Sequence, residues 1–279
     1  MKYPLIILFT LAALILIPAG EGLHGEEIYF SAPEPGAEYH PDVIELWEAG
    51  REAEEEEDWE DAADDFEDIV DDFPDSPLAS HAQWRRAVNL EKDDELYDAF
   101  EAYQKLFDDY PGEGNLDAIL ASQFRIGQAY LNGRKRLFLF FRIRSGLGAA
   151  QTIFETIVEN ATFSRIAPRA QYNLARAFQL DGDYERAEQE YKFILENYPG
   201  SPMIEPAVFQ LAACYYSRAA GADYDPGMSD RAIRYLKTFL SRFSKSDYSR
   251  EAQTMLSDLE ERKAEKAFDI AAYYERKNS

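Results

Sequence analysis

Cysteine is almost absent: Cys214 is the only one in 279 residues, so no intramolecular disulfide can form. No cysteine follows the apolar N-terminal run either, where an acylated one would stand; residues 17–27 read IPAGEGLHGEE. Histidine is scarce, and His24, His40 and His81 are scattered. No HExxH, GxSxG or phosphate-loop pattern occurs. These absences leave no catalytic constellation, no metal site and no cofactor site, and the chain is read as a non-enzyme. Positive charge is short, with 29 basic against 53 acidic residues and a net charge of −24. Such a surface repels nucleic acid and disfavours general adsorption to anionic membranes, although local basic patches can still act. Long apolar runs are missing too, apart from the 13 residues 5–17, which are too few to span a bilayer comfortably. With Lys2 before this run and Gly20, Gly22 and Gly25 after it, residues 1–25 read as a secretory signal peptide. Residues 26–42, with Pro33, Pro35, Gly36 and Pro41, read as an extended lead-in.

What the chain has in abundance is helical periodicity, and one signature recurs. Ala187, Tyr191, Ile194 and Pro199 are spaced 4, 3 and 5 residues apart. Ala62, Phe66, Ile69 and Pro74 repeat that spacing, as do Ala99, Tyr103, Leu106 and Pro111. Ala150, Phe154 and Ile157 match without the proline, and Ala232, Leu236 and Phe239 match with Ser244 in its place. The most regular copy lies in residues 168–199. There Leu174, Ala175 and Phe178 sit on a first helix, Gly182 on a turn, and Tyr184, Ala187, Tyr191 and Ile194 on a second. This is the pattern of a tetratricopeptide repeat. The expected fold is all-α: a tetratricopeptide-repeat α-solenoid of about five helical hairpins over residues 43–246, then a C-terminal capping helix over 247–279. A lone hairpin cannot bury its apolar stripe, so the copies must stack. Residues 133–148 and 221–229 read as enlarged hairpin turns.

Several stretches are candidates for contact. Trp47, Trp84, Phe124, Tyr172 and Phe209 each lie three residues before a small residue on a first helix. They form either an aromatic row that grips an extended peptide or helix, flanked by Arg176, or the packing between hairpins. Residues 134–147 hold five basic residues and no acid. Arg134, Lys135, Arg136, Phe138, Phe140 and Phe141 within them suit a partner protein or lipid headgroups, unless the apolar run folds back on the solenoid. Residues 52–72 carry fourteen carboxylates and no basic residue; they read as a solvated helix face, or as one that steers a basic partner or divalent cations. Cys214 reads as a small buried packing residue.

The turns FPDSP at residues 73–77 and YPGSP at 198–202, and the segment from Phe243 through Ser244, Ser246, Tyr248, Glu251 and Ala252 to Tyr273-Tyr274, resemble the BamD family. That family is the tetratricopeptide-repeat component of the outer-membrane β-barrel assembly machinery. The resemblance covers roughly residues 43–277. It implies a periplasmic scaffold, peripheral to the inner face of the outer membrane, that binds a barrel-assembly component and unfolded outer-membrane clients. It also implies a lipidated cysteine, from which this sequence departs. The rival reading is a soluble periplasmic adaptor of the cell-division or envelope-coordination type. Such adaptors place a coiled coil before their repeats, and the repeats here begin by about Val43.

Overall fold

The computed structural model describes residues 39–134, 146–219 and 226–278. The signal-peptide reading, most of the lead-in and most of the basic-aromatic loop lie outside these residues. Those described form eleven helices: α1 Pro41–Glu55, α2 Trp59–Asp72, α3 Ala79–Lys92, α4 Leu96–Asp109, α5 Leu116–Leu131, α6 Gly146–Asn160, α7 Ala167–Leu180, α8 Tyr184–Asn197, α9 Ile204–Ala219, α10 Pro226–Arg242 and α11 Ser249–Asn278. The chain is a tetratricopeptide-repeat helical solenoid. Contacts divide the described residues into two compact units, one ending at Ile126 and the other beginning at Gly127.

Each hairpin closes around the small residue of its first helix. Gly50 and Gly127 are buried because a second-helix ring needs the space: a Cβ on Gly50 would lie 3.0 Å from the Phe66 ring, and one on Gly127 2.9 Å from the Phe154 ring. Above that contact, Ala62, Ile69, Ala99, Leu106, Ala187, Tyr191 and Ile194 are fully buried. Turns between paired helices need a left-handed residue. Gly182 supplies it at φ 84°, whereas the equivalent positions in the first two hairpins are Glu57 at 62° and Asp94 at 72°. The Asp183 side chain then accepts from the Arg186 amide at 3.1 Å and caps α8, a capping arrangement that satisfies one of the unpaired amides at a helix start.

The connections between hairpins also repeat. The serine amide in each Phe/Tyr-x-x-Ser turn donates to the aromatic residue's carbonyl: Ser76 to Phe73, Ser201 to Tyr198, Ser246 to Phe243. The serine hydroxyl accepts from the amide two residues on, at 3.2 Å from Leu78, 3.0 Å from Met203 and 3.1 Å from Tyr248. The local hydroxyl contact sets the exit direction of the chain into the next helix. These turns are among the segments that carry the family resemblance, and their shared residues are turn chemistry.

Two departures from the sequence reading concern the enlarged turns. Residues 226–229 are helical, because Pro226 starts α10, where its fixed φ fits a first turn. Residues 146–148 are helical too, because α6 starts at Gly146, where a side chain would collide with the Arg134 carbonyl. In the C-terminal segment α11 runs unbroken, but only its first half is packed, through buried Ala252, Leu256 and Leu259.

Candidate partner-binding site

The aromatic row is chiefly a set of clasps within hairpins. The Trp47 ring meets Phe66 edge-on at 5.3 Å, Trp84 lies 5.2 Å from Tyr103, and Tyr172 lies 5.8 Å from Tyr191. Each pair is separated by 19 residues, from first helix to second. Phe209 instead stacks on Tyr248 at 4.7 Å and meets Phe239 at 5.5 Å. Trp84, Phe124 and Phe209 are 3%, 5% and 2% exposed, so their faces are already used. Trp47 and Tyr172 are half-buried, so their rings are not wholly enclosed. Of the basic-aromatic loop residues, only half-buried Arg134 is described; Lys135, Arg136, Phe138, Phe140 and Phe141 lie outside the described residues.

Polar ladders run beside these rings. In the first unit the Tyr103 hydroxyl donates to Glu91 at 3.2 Å, and Arg125 from the next first helix forks onto the same carboxylate with two bonds of 2.7 Å. In the second unit Tyr191 donates to Gln179 at 2.7 Å, and Gln179 donates to Gln210 at 3.0 Å. Both ladders join a hairpin's second helix to its first and then to the first helix of the following hairpin. At the start of the chain Phe66 has no hydroxyl. There buried Arg85 pairs with Glu54, which also accepts from Asn89 at 2.8 Å. The Arg85 guanidinium lies over the Trp47 and Phe66 rings, at 5.3 and 5.6 Å. Burial pulls the Arg85 pKa down while Glu54 supports its charge. Sequence spacing gave no sign of this cluster, since its partners stand 31 and 35 residues apart.

A second network joins α8 to α9. Glu188 accepts from Lys192 and the Tyr215 hydroxyl at 2.6 Å and from Arg218 at 2.7 Å. Burial raises the Glu188 pKa, but the bonds from Lys192 and Tyr215 and the charges of Lys192 and Arg218 outweigh it and hold the group below its ordinary value. Next to it Cys214 is fully buried, and burial pushes its thiol up to about 12. At neutral pH it is a packing residue without thiolate character.

Arg176 is different. It is half-buried one turn beyond Tyr172, and no carboxylate lies within ion-pair distance of it among the described residues. Its charge acts on the Tyr172 and Tyr191 phenols instead. Tyr172 is raised first by burial and then by Tyr248, with Arg176 and a bond from Gln210 opposing. In so acidic a chain, a half-buried guanidinium beside a phenol and amide groups is a ready donor site for a carboxylate. Tyr172 and Arg176 are the sequence-predicted residues that the structure brings together, both half-buried. Among the described residues no group of three or more His, Cys, Asp or Glu is set to hold a metal, and no helix is long and apolar enough to cross a membrane.

Comparison with known proteins places this geometry in context. Residues 142–279 match the family model of YfiO, an outer membrane lipoprotein, and residues 48–113 match a tetratricopeptide-repeat model. The outer membrane protein assembly factor BamD of Caulobacter vibrioides is 20% identical over 131 residues, covering 47% of this chain and 43% of that protein. The chain thus matches less than half the length of this relative. Among solved structures, a TPR repeats protein of Bacteroides fragilis is 13% identical at a TM-score of 0.47, covering 79% of this chain and 99% of its own. A TPR protein of Thermus thermophilus is 16% identical at a TM-score of 0.38, covering 77% and 98%.

Proposed function

We propose that the chain is a non-enzymatic scaffold of the cell envelope, exported to the periplasm and peripheral to the inner face of the outer membrane. There it holds a component of β-barrel assembly, or an unfolded outer-membrane client, through its repeats and inserted loop. The observation that carries this reading is the match of residues 142–279 to an outer membrane lipoprotein family, in the same half of the chain as Tyr172 and Arg176. An unfolded client offers extended backbone and free carboxylates. The Tyr172 ring and the Arg176 guanidinium suit those two groups, one by amphipathic contact and the other by charge-assisted hydrogen bonds. The loop residues Arg134, Lys135, Arg136, Phe138, Phe140 and Phe141 supply a second contact, to partner or to lipid headgroups. A tether through a thiol has one candidate in this sequence, and Cys214 is buried.

The test is affinity capture from detergent-solubilised envelopes with the full chain as bait. A barrel-assembly component is expected among the recovered proteins. Arg176→Glu is expected to weaken recovery about tenfold, the effect of roughly 1.4 kcal/mol, with helicity unchanged. Recovering no such component would sink the scaffold reading. Equal recovery by wild type and Arg176→Glu would remove Arg176 from the site.

A further inference from the structure

The distal half of α11 differs from its packed first half. After the Lys263–Asp230 pair at 2.6 Å, every residue from 264 to 277 is exposed except half-buried Ala272. Large apolar side chains are among them: Phe268 is 73% exposed, Ile270 59%, Tyr273 55% and Tyr274 57%. At 100° per residue, Lys266, Ile270, Tyr273, Tyr274 and Lys277 fall within an arc of about 100°, with Asp269 flanking it. Neither Lys266 nor Lys277 has an ion-pair partner among the described residues.

The outer face of α2 is its electrostatic complement. Asp61, Asp64, Asp65, Asp68 and Asp72 share an arc of about 100°, and α2 carries no basic residue. All but Asp65 are exposed. The flanking acids are already used, Glu67 by Arg86 at 2.6 Å and Asp71 by Lys105 at 2.9 Å, but the five aspartates of this arc have no ion-pair partner among the described residues. Burial, then the charges of Asp61, Asp68 and Asp64, raise the pKa of Asp65, so this face gains from a neighbouring cation. The two stripes also match in length. Lys266 to Lys277 and Asp61 to Asp72 each span 12 residues, about 16 Å of helix between the end residues.

We propose that the exposed Lys266–Ile270–Tyr273–Tyr274–Lys277 face of α11 docks on the Asp61–Asp64–Asp65–Asp68–Asp72 face of α2 in a second copy of this chain. Lysines meet aspartates at the two ends. Between them the tyrosine hydroxyls donate to aspartate carboxylates, and Ile270 and the ring bodies leave water. The contact is heterologous, so a singly joined pair leaves one face of each kind to which a further copy can add. One helix pair of three turns is a small interface, so association is weak and concentration-dependent. It is also salt-sensitive, because most of its groups lie at the surface. This inference does not rest on the envelope function proposed above.

Sedimentation velocity on the full chain tests it through complementation. For the wild type, average mass is expected to rise past two chains as concentration increases at about 50 mM salt, and to return to one chain near 500 mM, where screening is short-ranged. Lys266→Glu/Lys277→Glu retains the acidic face, and Asp64→Lys/Asp68→Lys retains the basic one. Each variant alone is expected to stay monomeric, while their equimolar mixture gives a complex that stops at two chains. All four positions are exposed, and an unchanged circular-dichroism melt confirms folding; Lys266→Ala/Lys277→Ala and Asp64→Asn/Asp68→Asn serve in place of any reversal that lowers the melt. A wild type that stays monomeric throughout overturns the proposal. So does a variant that self-associates like wild type, a mixture that fails to pair, or binding of the wild type only to anionic phosphatidylglycerol vesicles.

Discussion

Glu57 shows how one side chain can stand against the repeat pattern. It occupies the left-handed turn position at φ 62° that Gly182 fills in the fourth hairpin. A left-handed conformation costs a non-glycine residue about 1–2 kcal/mol, and glycine gives back part of that gain through the freedom it adds to the unfolded chain. Glu57→Gly is therefore expected to stabilise the first hairpin by about 0.5–1 kcal/mol. A denaturant titration followed by circular dichroism checks this, and a lowered midpoint would refute it. The substitution also removes one of fourteen clustered carboxylates, so Glu57→Gln is the control for charge. Trp84 and Phe209 teach a related lesson. Their spacing marked them as a row, but spacing alone does not say whether a ring face meets solvent or a neighbouring ring.

Between neighbouring helices, the Glu188 network makes the α8–α9 contact pH-dependent. Bonds from Lys192 and Tyr215 hold Glu188 below its ordinary 4.5 in the folded chain. Because the folded value is depressed, the stabilisation is fully present above the unfolded value and is lost as pH falls through the folded one. Wild type should therefore lose stability steeply below about pH 4.5, the unfolded carboxylate range. Glu188→Gln should be less stable at pH 7 and shallower in that acid window. Urea midpoints at pH 7, 5, 4 and 3 give the comparison; parallel curves for the two proteins would exclude the network as the cause. The serine turns work through geometry instead, each hydroxyl fixing where the next helix starts.

For the molecule taken whole, a net charge of −24 on 279 residues opposes compaction through self-repulsion. Added salt should therefore raise the thermal midpoint of the dilute, monomeric chain. Differential scanning fluorimetry between about 20 and 300 mM sodium chloride spans the range in which the Debye length falls from tens of ångströms to a few. A midpoint that falls with salt would show that attractive pairs such as Arg85–Glu54 and Arg218–Glu188 outweigh the repulsion. The same charge imbalance gives the distal part of α11 its meaning. A stripe with lysines at both ends stands out against a chain that is acidic overall.

The sequence by itself determined the repeat: the Ala–aromatic–aliphatic spacing, the Gly182 turn, the Ser76 and Ser201 turns and the unbroken C-terminal helix are local patterns, set by which residues share a helix face within a few positions. It also marked Arg176 and Tyr172 as neighbours, because one turn separates them. Only the tertiary structure decided which rings are spent in packing, which carboxylates are paired, and where α11 leaves the core. Those outcomes depend on contacts such as Arg85–Glu54 and Gln179–Gln210, each 31 residues apart. A periodic pattern specifies a buried face but does not specify the side chain that will lie opposite it.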